Sequence, residues 1–155
     1  MPKHYWLIKS EPHVYGIDQL EKDGETGWTG VRNYQARNNM RDLMHVGDGV
    51  LYYHSSCDIP AIVGLADVSR AAHPDPTQFD KKDEYYDPKA KPEAPPWMIV
   101  GVRFVKKFKR PLTLDDVKNI PELKKMVLLN NSRLSVQPVT PEEWEIILGL
   151  TAKVR

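Results

Sequence analysis

The stretch Trp97-Met-Ile-Val-Gly-Val-Arg-Phe-Val-Lys-Lys-Phe108 decides the fold class. Met98, Val100, Val102 and Phe104 recur at every second residue with Ile99, Arg103 and Lys107 on the other face, a period of two that belongs to a strand. It is the longest strand expected in the chain. Its distal part, from Arg103 to Arg110, holds five positive charges and no negative one. Such a run suits phosphate contact, with Lys106 and Lys107 as candidates, or a charged edge that keeps foreign strands away. Working outward, Tyr5 to Lys9, Val50 to His54 and Ala61 to Val68 are shorter runs of β-branched and aromatic residues. Turns at Ser10-Glu11-Pro12 and Val46-Gly47-Asp48-Gly49 bound them. Short helices are expected at Ile17 to Lys22, Thr113 to Lys118 and Pro121 to Leu128. Thr140-Pro141-Glu142-Glu143 opens a last helix with a capping residue, a first-position proline and a third-position glutamate; its expected stop is Gly149. Strands outnumber long helices and the two do not alternate regularly. The expectation is an α+β domain on a curved, partly antiparallel sheet or small barrel.

With 155 residues, 41% hydrophobic and 28% charged, the chain suits one domain over 1–155 that buries roughly 70% of its unfolded surface. A net charge of +1 gives no whole-molecule bias toward nucleic acid, so any electrostatic footprint is local. The single Cys57 forms no internal disulfide, and no apolar run reaches membrane-spanning length; both fit a cytoplasmic protein. There is no Gly-x-Gly-x-x-Gly, no phosphate-binding loop and no Gly-x-Ser-x-Gly elbow, so no cofactor is expected. His4, His13, His45, His54 and His73 show no metal-ligand spacing in sequence, which argues against a zinc enzyme.

The glycine-framed Gly27-Trp28-Thr29-Gly30 leads into a helix opened by polar and basic side chains. Asn33 is its expected cap, Tyr34, Arg37 and Arg41 share a face, and Ala36, Met40, Leu43 and Met44 form the buried stripe. An aromatic ring, amides and guanidinium groups around one helix start suit a flat, partly anionic ligand such as a nucleotide. A Pro-rich acidic stretch at about 73–96 lacks apolar periodicity and reads as a long loop that covers a site or is merely solvated.

Several blocks together, Tyr5-Trp-Leu-Ile-Lys-Ser-Glu-Pro12, Trp28-Thr-Gly-Val-Arg-Asn-Tyr-Gln-Ala-Arg-Asn38, Tyr52-Tyr-His-Ser55 and Arg133-Leu-Ser-Val-Gln-Pro-Val139, resemble the EVE domain. This family includes small bacterial proteins and eukaryotic nuclear proteins. The resemblance implies a PUA-like fold, a twisted β-barrel or curved mixed sheet flanked by short helices. It also implies a pocket for a flipped, modified nucleobase, with methyl- and hydroxymethylcytosine in DNA as the usual proposal.

On that reading Trp28 and Trp97 are candidates to stack on the base, with Tyr34 beside them; burial in the hydrophobic core is the other reading of both tryptophans. Lys9, Ser10, Asn33, His54 and Ser55 would read its edge, and Ser135 and Gln137, alternating on a strand, would face the same pocket. Arg32, Arg37 and Arg41 would meet phosphates; a plain solvated helix face is the other reading, as backbone capping is for Ser10 and Asn33. The expected partner is nucleic acid, DNA over RNA, with any effector a separate protein. The alternatives are an RNA-binding module and a small amidohydrolase acting on a modified nucleoside through Lys9, Ser10 and Glu11. Against the enzyme, adjacent strand residues face opposite ways, so Lys9 and Ser10 cannot both line one cavity without a bulge or turn there.

Overall fold

A computed structural model describes residues 3–131 and 133–152. Six strands, β1 Tyr5–Ser10, β2 Glu25–Gly27, β3 Gly49–His54, β4 Ala61–Pro74, β5 Met98–Thr113 and β6 Val136–Val139, form one sheet in the order β2-β5-β4-β3-β1-β6. β1 and β3 run parallel and the other pairs antiparallel. The ends of the order, β2 and β6, are not joined, so the sheet is open and mixed, with no closed barrel among the described residues.

Alternation along the two parallel strands builds a core on each face. Trp6 and Ile8 of β1 and Val50 and Tyr52 of β3 enter one hydrophobic cluster, while Leu7, Leu51 and Tyr53 enter the other. A sheet buried on both sides reads as a continuous apolar run, as Tyr5 to Ile8 and Val50 to Tyr53 do. Two helices cover the faces. α2 Ile17–Asp23 packs Ile17 and Leu20 on the first cluster, and α6 Pro141–Ala152 packs Trp144 and Ile147 on the second. Four shorter helices, α1 Pro12–Tyr15, α3 Tyr34–Asn38, α4 Leu114–Lys118 and α5 Val127–Asn130, fill the connections.

Local chemistry explains most element starts. The Thr113 hydroxyl accepts from the Asp116 amide while the Asp116 carboxylate accepts from the Thr113 amide, and Thr140 and Glu143 repeat the arrangement ahead of α6. Several boundaries differ from expectation. β4 continues past Val68 to Pro74, because its pairing with β5 absorbs four register shifts and carries the first residues of the acidic stretch as strand. α6 runs through Gly149, since the inward stripe of Trp144, Ile147 and Thr151 continues beyond it and outweighs the ~1 kcal/mol cost of one helical glycine. The helix expected at Pro121 to Leu128 is instead a 3-10 turn, Pro121–Leu123, followed by α5.

The focal helix starts at Asn33, whose side chain accepts from the Ala36 amide at 2.9 Å. After α3 the backbone widens into a π turn, Asn39–Leu43. One extra residue in the turn shifts the phase of the buried face, so Asn39, Met40 and Met44 point inward and Leu43, expected inside, is 52% exposed. The Asn39 amide donates to the Val136 carbonyl at 2.8 Å and ties the turn to β6.

Candidate nucleic-acid interface

At the C-terminal end of β1 the fold leaves an open cleft of about 620 Å³. Trp28 contributes the aromatic part of its lining; it leaves β2 with its amide bonded to the Val100 carbonyl at 2.9 Å, is 8% exposed and belongs to the first hydrophobic cluster, so it presents only part of its surface to the cleft. Tyr15 and Tyr52 meet the indole edge-on, with ring centroids 6.2 and 5.5 Å away. These edge contacts hold the plane of the indole. Tyr52 donates to the Tyr15 carbonyl at 2.6 Å, and burial pushes its phenol well above the usual tyrosine range. Burial and the neighbouring Asp23 carboxylate push Tyr15 up to about 12.

Much of the remaining lining is polar. Lys9 and Ser10 come from the end of β1, Ser55 and Ser56 from the loop after β3, and Arg133 and Ser135 from the segment entering β6. The Lys9 amide donates to the Ser135 carbonyl at 3.0 Å, which fixes the two segments side by side. Its ammonium lies 5.8 Å from the centre of the Tyr53 ring, and burial lowers its pKa. Lys9 and Ser10 therefore share one cavity despite the alternation that argued against it. Ser10 is the last residue of its strand, and the cleft wraps the strand end, where both faces are reached.

A strap built from the 75–97 segment closes the remaining side. Asp75 is fully buried and accepts from the Gly30 amide at 3.0 Å, from the Thr77 amide and hydroxyl, and from the Arg32 guanidinium at 3.0 Å. Burial raises the Asp75 pKa, but the Thr77, Gly30 and Arg32 donors outweigh it and hold the carboxyl below its usual range. Arg32 also donates to the Val31 carbonyl, the Thr77 hydroxyl and the Tyr85 carbonyl. The Tyr85 ring lies against Gly30, which has φ +83°; a Cβ there would sit 2.6 Å from the ring. The stretch expected as a long loop, either covering a site or merely solvated, is thus fastened to the Trp28 loop through Asp75, Thr77 and Tyr85.

Of the expected base-binding residues, Lys9, Ser10, Trp28, Ser55 and Ser135 line the cleft. The others lie elsewhere. Asn33 is spent as the α3 cap. His54 accepts from the Ile17 amide at its Nε2, 3.1 Å away, and burial lowers its pKa. Gln137 is fully buried and donates to the Leu134 carbonyl at 2.8 Å. Trp97 is a member of the strap, donating to Asp87 at 2.8 Å, and Tyr34 stacks on it with centroids 4.9 Å apart. The two tryptophans therefore do not sandwich one ligand.

The expected phosphate residues are also largely engaged. Arg32 has four acceptors, and Arg37 donates to the Pro96 carbonyl at 2.7 Å and to Asn38. Arg41 pairs with Asp42, Lys107 with Asp18 and Arg103 with Asp67. Lys106 is exposed on β5 where β2 no longer pairs, so the basic run forms the charged flank of an open strand edge. Cleft residues that the sequence did not single out include Tyr15, Tyr85 and Arg133. The first two sat in segments with no periodic signal, and Arg133 was visible only as part of the block before β6.

An α+β protein with an open mixed sheet and an aromatic-and-polar cleft at a strand end is the class that fold and site define. Within it the chain belongs to the EVE domain family, whose model matches residues 4–150. Thymocyte nuclear protein 1 of rat is 43% identical over 166 residues, covering 95% of this chain and 73% of the rat protein. A hypothetical protein from Leishmania major has a solved structure 51% identical to this chain, with a TM-score of 0.95 and coverage of 98% and 96% of the two chains. The human THYN1 protein, solved in complex with 5-methylcytosine-containing DNA, is 40% identical, with a TM-score of 0.91 and coverage of 99% and 100%.

Proposed function

We propose that this chain is a non-catalytic DNA-binding module that takes a modified cytosine out of the duplex into the Trp28 cleft. The observation that carries the reading is the lining of the cleft at the end of β1, which brings the Trp28 indole together with Lys9, Ser10, Ser55 and Ser135. A nucleobase needs an aromatic contact for its face and both donors and acceptors for its edge, and hydroxyls supply both kinds. Extrusion costs a few kcal/mol, and stacking on an aromatic ring returns roughly 1–3 kcal/mol per base. Selectivity then comes from edge contacts and from the fit of the 5-substituent. The human relative's complex with 5-methylcytosine-containing DNA supports a modified cytosine in DNA as the ligand, because the two chains align over nearly their whole lengths.

Phosphate contact in this reading falls to Arg133 at the cleft wall, Lys9 stays with the base edge, and the strap arginines act through the shape of the cleft. The test is a tryptophan-fluorescence titration with duplexes differing in one cytosine, left plain, methylated or hydroxymethylated, beside the matched RNA, at fixed low salt. Tighter binding of one modified DNA duplex is the expected result. Equal weak binding to all three DNA duplexes, or preference for the RNA, would overturn the reading.

A further inference from the structure

At the other end of β1, His4, His45 and Asp48 come together, and their ligand atoms lie within 4.8 Å of one another. We propose that these three side chains form a surface site for a divalent transition-metal ion of the zinc type. A strand of six residues at ~3.3 Å per residue separates it from the Trp28 cleft, so it is a second site. Neither His4 nor His45 contributes to either hydrophobic core, and both are exposed.

The backbone is already organised for ligation. Asp48 is 3% exposed, and its carboxylate accepts from the His4 amide at 3.2 Å, the His45 amide at 2.9 Å and the Trp6 indole at 2.9 Å. The His4 carbonyl accepts from Gly49, and the His45 carbonyl from Asp48, so each histidine backbone is held on both sides. Only the imidazoles remain to rotate. Among the described residues no lysine or arginine pairs with Asp48. A buried carboxylate served by neutral donors alone gains from an adjacent cation. Two imidazoles and a carboxylate suit zinc, for which bonds of about 2.0–2.2 Å put donors roughly 3.3 Å apart. Exposed side chains close that difference by rotation. Three protein ligands leave a coordination position open for water or a partner's side chain. Spacing in sequence concealed the site because His4 is brought to His45 and Asp48 only by the parallel β1–β3 pairing, Tyr5 opposite Gly49.

The experiment is calorimetric titration of the untagged full chain with zinc chloride, with melting curves taken with zinc and with a chelator. The expected result is one zinc per chain, a higher melting temperature with zinc, and at least fivefold weaker binding in both His4→Ala and His45→Ala. His73→Ala, a histidine outside the site, should leave affinity unchanged. Because the histidine side chains are exposed, the variants should melt like the parent in chelator. No saturable zinc binding by the parent, or a smaller than fivefold loss in either site variant, would overturn the proposal.

Discussion

Replacing Arg32 separates two roles that an arginine beside a nucleic-acid cleft can have. Its guanidinium pairs at 3.0 Å with the fully buried Asp75, and its side chain keeps 22% exposure. Breaking a buried pair by removing one partner costs roughly 3–5 kcal/mol. Residual exposure of Arg32 and the Gly30 and Thr77 donors that stay on Asp75 reduce this to about 2–3 kcal/mol for Arg32→Ala. For a chain of 155 residues that corresponds to a fall in melting temperature of roughly 4–12 °C. Arg32→Lys should recover little of it, because one ammonium cannot reach the acceptors that the planar fork serves. Thermal melting and DNA affinity as a function of salt are the assays. A lost phosphate contact lowers the slope of log K against log salt by about 0.9, whereas a lost clamp lowers affinity and leaves the slope. An unchanged melting temperature together with a shallower slope in Arg32→Ala, rescued by Arg32→Lys, would refute the clamp.

Three further outcomes follow from the same geometry. Gly30→Ala forces a side chain into φ +83° and against the Tyr85 ring, so a loss of about 2 kcal/mol is expected, read as a lower melting temperature with weaker DNA binding. Because burial depresses the His54 pKa and its Nε2 must stay unprotonated to accept from Ile17, the unfolded chain takes up this proton first. Stability from this group is whole above about pH 6.5 and is lost as pH falls toward the lower folded value; denaturant titrations should show that slope, and His54→Gln should flatten it. Arg133→Ala should leave melting unchanged and lower the salt slope of DNA binding by about 0.9, as an exposed phosphate contact at the cleft does.

The sheet was legible because its strands carry local signals. The period of two in Met98 to Phe104 and the apolar runs of β1 and β3 are consequences of facing a core, and a core follows from composition. Helix starts were legible where a side chain caps the backbone, as at Asn33, Thr113 and Thr140. Two kinds of feature were not. The strap depends on contacts between residues more than 40 apart, Gly30 and Arg32 with Asp75, and nothing in an acidic Pro-rich stretch announces them. Aromatic and basic residues were legible as candidates but not as partners, so Trp97, Arg37 and Gln137 carried the right chemistry into structural roles. The π turn was hidden for the same reason, since the bond that joins Asn39 to β6 spans 97 residues of sequence.

Extrusion of the modified base into the cleft is tested most directly by 2-aminopurine placed beside a single 5-methylcytosine in a duplex. Flipping the methylated base removes a stacking neighbour from the reporter. With saturating protein the emission should rise for the methylated duplex and stay low for the plain one, and Ser135→Trp, which fills the cleft wall, should abolish the rise. Saturated binding of the methylated duplex with no change in emission, or an equal rise with Ser135→Trp, would contradict the account.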